Sequence, residues 1–396
     1  MELLHGAIRR LDWAKELCYK AAELYRWKLS GKISAKIVFF GILRWVTRGS
    51  ICFDPRRNFL DAGTSWVGTA KELFVTPALR PAGASYTDGY VDVRGLRLHY
   101  LDYGGDGETV VALHGLLQNA HAFDAIAPVL VPHVHLIALN LPGRGDSEWA
   151  PASRYCLPQY MLDLGSFLTK LGAPQYALIG TSLGGWMART YAIAHPERVF
   201  RLVLNDCASS ADVYAVYRTV KRMAEAPREF PTIRAAVNWF LAERSLDHLK
   251  RDALVAWVGH YLTQTGTGQL RFACDPLVLR LAMSRITRRA SSIDSLQQPL
   301  AGVPLEQARR LTMPVLILRG ARSEVISRLA VTRFLRILPK AESVEVPGAG
   351  HSPTLYEPAA QEALRAFFGL TPANPEDLRL RLPSFDGPRS LVTDGA

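Results

Sequence analysis

Tyr176-Ala177-Leu178-Ile179-Gly180-Thr181-Ser182-Leu183-Gly184-Gly185 is the stretch that decides the fold. Its first four residues form a short apolar run of the kind found in strands covered on both faces. Gly180 to Gly184 then spells G-x-S-x-G, and a helical run follows. A serine in that pattern on a strand–turn–helix is a nucleophile elbow. The turn forces the serine into a strained conformation, and a Cβ at either glycine would run into the neighbouring strand or helix. It also lifts the hydroxyl off the sheet and aims the open amides of the next helix at developing negative charge. Without that context the same letters are a chance match in a glycine turn.

Outward from the elbow, the chain alternates strands with helical stretches. Tyr90–Val93 and Leu96–Leu101 alternate about a turn at Arg94-Gly95, like a hairpin. Buried-type strands are expected at Val110–Leu113, Val134–Leu139, Tyr176–Ile179, Leu202–Leu204, Val315–Leu318 and Ser343–Val346. This alternation predicts a mainly parallel α/β sheet with helices on both faces. Between Leu204 and Val315 lies a long, arginine-rich, mostly helical segment with no clear strand. It is too long for a loop and reads as an inserted helical module at about 207–311.

A serine hydroxyl is a poor nucleophile and needs a base. His351 stands in Gly348-Ala349-Gly350-His351-Ser352, just after the last expected strand, where a loop reaches the active edge of a parallel sheet. His195 precedes Pro196 and reads as a helix end. The base needs an orienting carboxylate. Glu324, after the strand Val315–Leu318, is the favoured acid. Asp206, after Leu202–Leu204, is the alternative, with a rival reading as a helix cap opening the insert. Either satisfies the order serine, acid, histidine. The oxyanion donors are expected to be the amides of Leu183 and of Leu116, in the loop His114-Gly115-Leu116-Leu117. His114 reads as the residue that fixes this loop. Arg144-Gly145-Asp146 reads as a tight turn between strand and helix rather than an adhesion motif.

From Tyr90 to about Leu370 these landmarks, taken in order, resemble the α/β-hydrolase superfamily: His114-Gly115, Gly143-Arg144-Gly145-Asp146-Ser147, the elbow at 180–184, Leu204-Asn205-Asp206, Arg319-Gly320 to Ser323-Glu324, and Gly350-His351. The resemblance implies an eight-stranded, mainly parallel α/β-hydrolase sheet at 86–371 with a helical cap. It also implies a serine hydrolase cleaving a carboxylic ester through an acyl-enzyme, needing no metal or organic cofactor. Relatives with a similar Arg-Gly-x-x-Ser segment usually carry Asp where this chain has Glu324. A serine at the elbow sets the chain apart from epoxide hydrolases and haloalkane dehalogenases. Lactonases, thioesterases, C–C bond hydrolases and acyltransferases share the same triad, and a non-catalytic ligand-binding protein on this fold is the reading from another class.

The 396 residues are 48% hydrophobic and 21% charged, which excludes a disordered chain, a coiled-coil rod and a collagen-like repeat. Five sparse cysteines with no C-x-x-C pair argue against a disulfide scaffold or structural zinc and suit a reducing, cytoplasmic setting. Net charge is +11. Residues 1–57 hold twelve Lys/Arg against five Asp/Glu, and residues 207–311 hold fifteen against nine. No groove-reading motif accompanies them, so nucleic acid is not an expected partner. No secretory leader or membrane span is expected. Residues 1–85 read as a basic extension with amphipathic helices at 3–28 and about 33–46, and residues 372–396 as a tail. Trp13, Trp27, Phe39, Phe40 and Trp45 make residues 1–50 a candidate for peripheral membrane contact, or for packing on the insert or another subunit.

Overall fold

The computed structural model describes residues 85–131, 133–243, 246–290 and 305–370. The expected N-terminal helices with their membrane or subunit contact, and the tail at 372–396, lie outside these residues.

Eight strands form one sheet in the order β1-β2-β4-β3-β5-β6-β9-β10. They are β1 (Thr87–Val93), β2 (Leu96–Asp102), β3 (Glu108–Leu113), β4 (Val134–Leu139), β5 (Tyr176–Thr181), β6 (Val199–Asn205), β9 (Val315–Gly320) and β10 (Ala341–Val346). β1 pairs with β2, and β2 with β4, antiparallel; the other neighbours run parallel. The expected mainly parallel sheet is therefore present, with the hairpin at one edge.

Both faces of the central strands are apolar, for the reason the sequence suggested. Along β5 successive side chains point to opposite faces. Leu178 joins Phe167, Met187 and Leu204 on one side. Ala177 and Ile179 join Phe123, Ile126 and Leu364 on the other. Burying one such aliphatic side chain contributes roughly 1.5–3 kcal/mol.

The covering helices have readable ends. α1 (Leu157–Leu171) has Pro158 in its first turn and stops at Gly172, whose φ of 81° suits a left-handed cap. α2 (Leu183–Ala194) follows the elbow and ends at His195, whose amide donates to Tyr191 O at 2.8 Å. α3 (Val213–Ala224) is capped by the Asp212 side chain, which accepts from Ala215 N at 2.7 Å. α4 (Ile233–Glu243), α5 (Arg251–Gly259) and α6 (Pro276–Ala290) also lie between β6 and β9, with a further single helical turn at Leu305–Ala308. Past them come α7 (Arg328–Leu335) and α8 (Pro358–Phe367).

The segment between β6 and β9 also holds a ribbon that the sequence reading missed: β7 (Leu262–Gln264) paired antiparallel with β8 (Leu270–Phe272). Its strands are too short to show a period, though Gly266 and Gly268 mark the turn between them. Among the described residues, no helix is long and apolar enough to cross a membrane.

Candidate active site

β5 lies between β3 and β6, so the residues after those strands meet at the carboxyl edge of the sheet. Ser182 sits there with φ 51° and ψ −109°, a strained conformation for a residue with a side chain. The glycines around it are needed for space. A Cβ on Gly180 would strike Gly184 O, and one on Gly184 would strike Leu113 O. On Gly185 it would come within 2.7 Å of Cys207 Cβ.

Ser182 Oγ is 2.9 Å from His351 Nε2. His351 Nδ1 is 2.6 Å from Asp206 Oδ2. The structure therefore brings the expected serine and histidine together, but the carboxylate behind the histidine is Asp206, not the favoured Glu324. Glu324 is exposed and accepts from Arg218 Nη2 at 3.0 Å. The cause lies in the loop after β9. Arg319 ties it down, donating to Ile326 O at 2.8 Å and to Ser323 O at 3.1 Å. Ser323 then turns inward and donates to Asp206 Oδ2 at 2.6 Å, and the next residue, Glu324, points out.

Asp206 is not the helix cap of the rival reading; Asp212 fills that role. Asp206 is fully buried, with φ 52°. Gly320 N donates to its Oδ1 at 3.0 Å, and its own amide donates to Leu318 O at 2.7 Å. A carboxylate removed from water needs such donors.

The loop after β3 is held as firmly. Leu141 N donates to His114 Nε2 at 3.1 Å, so the proton sits on Nδ1, which donates to Gly115 O at 2.7 Å. Complete burial, aided by nearby Arg144, pushes His114 down to about 3, keeping the ring neutral. Gly115 N donates to Gln118 Oε1 at 2.8 Å, and Arg144 Nε to Leu116 O at 3.1 Å. Both peptide groups flanking Leu116 are thereby oriented, and His114 has the loop-fixing role read from the sequence. Arg144 is buried in a turn, as expected of that segment. Gln118 was missed, because its partner is a backbone amide and no motif marks it. Asn205 was missed too. It fastens the loop behind the base, its Nδ2 donating to Thr181 Oγ1 at 3.1 Å and Pro353 O at 3.0 Å.

A cleft of about 420 Å³ opens beside His351, between Thr219, Arg222 and Met223 of α3 and the segments at 322–325 and 350–352. Away from it, Asp88, His99 and Asp146 have ligand atoms within 4.8 Å of one another. They do not suit a cation. Asn140 Oδ1 accepts from Ala120 N at 2.7 Å, so Asn140 Nδ2 must donate to His99 Nδ1. The His99 proton is then on Nε2, facing Asp88 at 2.9 Å, and the ring has no lone pair left to offer.

The chain is 26% identical over 291 residues to a 3-hydroxybutyrate-oligomer hydrolase of Cupriavidus necator, covering 69% of this chain and 92% of the relative. It is 29% identical over 260 residues to a pimeloyl-[acyl-carrier protein] methyl ester esterase of Klebsiella pneumoniae, covering 65% and 91%. A crystal structure of an alpha/beta hydrolase from Novosphingobium aromaticivorans superimposes with a TM-score of 0.62 at 27% identity, covering 72% of this chain and 99% of that one. Such relatives, named as esterases and hydrolases, are those of a carboxylic ester hydrolase. The family profile described as alpha/beta hydrolase fold matches residues 108–358, a span that contains Ser182, Asp206 and His351 together with the strands that present them. The chain belongs to the α/β-hydrolase fold family.

Proposed function

We propose that the chain hydrolyses a carboxylic ester through an acyl-enzyme on Ser182. The observation that carries this reading is the hydrogen-bonded line from Ser182 Oγ through His351 to Asp206, at 2.9 and 2.6 Å. His351 Nε2 takes the hydroxyl proton as Ser182 Oγ attacks the ester carbonyl carbon. Asp206 keeps the Nδ1 proton in place and stabilises the imidazolium. The tetrahedral oxyanion is held by the amides of Leu183, at the first turn of α2, and of Leu116. The carbon–oxygen bond to the alcohol then breaks, and His351 hands its proton to the departing oxygen. Water, deprotonated by His351, attacks the acyl-serine and releases the carboxylic acid.

Two surroundings of the site support an ester with unlike ends. Leu116 and Trp186, beside the nucleophile, pack against an apolar cluster of Val213, Val220 and Ile286 from α3 and α6. That surface suits the acyl chain. The cleft beside His351, lined by Thr219, Arg222 and Glu324 among others, suits a more polar alcohol. The relatives named for ester substrates agree with the bond cleaved.

The test is labelling by a fluorophosphonate, which reacts with activated serines, together with hydrolysis of p-nitrophenyl esters of rising chain length. Labelling that is lost in Ser182→Ala, with turnover rising towards apolar acyl chains, is expected. An unlabelled wild-type protein that cleaves none of the esters would refute the reading.

A further inference from the structure

Two consecutive residues from the segment between β6 and β9, Asp247 and His248, grip the loop that carries His351. Asp247 pairs with Arg322, whose Nε donates to Gly348 O at 2.6 Å. The His248 side chain lies against Gly348, where an added Cβ would come within 2.6 Å of His248 Cβ. From there His248 Nε2 reaches Glu357 Oε1 at 3.0 Å. A carboxylate only accepts, so His248 is the donor.

Glu357 is 5% exposed and closes the loop on the far side of His351. Its Oε1 also accepts from Thr354 N and Thr354 Oγ1, each at 3.0 Å, and its Oε2 has no hydrogen-bond partner among the described residues. A buried carboxylate short of donors is costly, and losing one more loosens whatever it holds. The same turn lies next to Leu246, which lines the cleft beside the base.

We propose that His248 is a positioning residue: by bridging Gly348 and Glu357 it fixes residues 347–357, so that docking of the segment between β6 and β9 and placement of His351 against Ser182 are one event. Misplacing a reacting group by about 1 Å can cost on the order of 10²-fold in rate, which is the scale on which such a clamp acts. The kinetic part of this inference rests on the ester-hydrolase reading; the structural part does not.

The experiment compares full-length wild type, His248→Ala and His248→Gln, the last of which keeps an N–H donor. Amide hydrogen exchange is followed by mass spectrometry, and kcat and KM are measured per fluorophosphonate-labelled site. In His248→Ala, exchange at 347–357 should quicken by about tenfold or more while the central strands stay protected. Its kcat should fall by roughly 10- to 100-fold with KM within about twofold. His248→Gln should recover most of both. Should His248→Ala fail to fold, His248→Asn, too short to reach Glu357, takes its place with the same expectations. Unchanged exchange at 347–357 in the donor-less variant overturns the clamp. So does a wild-type kcat per labelled site, or a His248→Gln variant as impaired as His248→Ala. If wild type cleaves no ester, the functional reading fails and the exchange measurement still decides the clamp.

Discussion

Asp206 and Ser323 share a hydrogen bond of 2.6 Å, between residues at the ends of two different strands. Through it the loop after β9 supports the carboxylate after β6, and that carboxylate holds His351. Asp206→Asn should lower kcat by about 10⁴-fold, since an amide no longer holds the imidazole in its working tautomer. Glu324→Gln, which removes an exposed ion pair with Arg218 and one charge from the lining of the cleft, should stay within about tenfold of wild type. Steady-state kinetics on one ester decide the matter, and the opposite ranking would return the role to Glu324.

Ser182→Ala should reduce turnover on the order of 10⁶-fold without unfolding the protein. The hydroxyl bonds to His351, and its loss removes little packing. A thermal melt beside the kinetic assay separates the two effects. Residual turnover near wild type would exclude the serine as nucleophile.

Acid sensitivity should be traceable in part to His114. The native ring is pushed down to about 3 from an ordinary 6.5, so between those values the unfolded chain takes up a proton that the folded one refuses. Stability from this group is therefore lost as pH falls below about 6.5, by up to about 1.4 kcal/mol per pH unit. Denaturant titrations of wild type and His114→Gln at several pH values between 7.5 and 5 test it. The stability advantage of wild type should shrink as pH falls; a constant advantage would remove His114 from the account.

Gly184→Ala should destabilise the fold by about 1–3 kcal/mol or more, because the new Cβ meets backbone oxygens of Leu113 and His114 that cannot swing aside. Urea midpoints measure this directly. A neutral result would mean that β3 and the elbow are less closely packed than these contacts require.

The parts legible in the sequence were those set by local pattern. Runs such as Val110–Leu113 and Tyr176–Ile179 have apolar residues at every position, which a doubly covered strand demands. Ser182 was marked by its glycines and His351 by its place on a glycine-rich loop after the last strand. The acid was not, because both Asp206 and Glu324 follow a strand and precede the histidine. Choosing between them needed the inward turn of Ser323, which depends on Arg319 gripping three carbonyls of its own loop. Gln118 and the β7–β8 ribbon escaped for other reasons. Gln118 serves a backbone amide three residues away that no motif marks, and the ribbon's three-residue strands are too short to show a period.

β6 and β9 are hydrogen-bonded neighbours from Leu202–Val315 to Asn205–Leu318, although everything from Asp206 to Pro314 is strung between them. The excursion leaves at the carboxyl end of one strand and returns to the amino end of its parallel neighbour, and its length adds only slowly to the entropy of closing it. Sequence can accumulate, shrink or be exchanged there while the sheet keeps its register. On the proposed reading, the strands present the reacting groups while the excursion lines the space beside them, so a change within it reaches the choice of substrate and, through His248, the placement of the base as well.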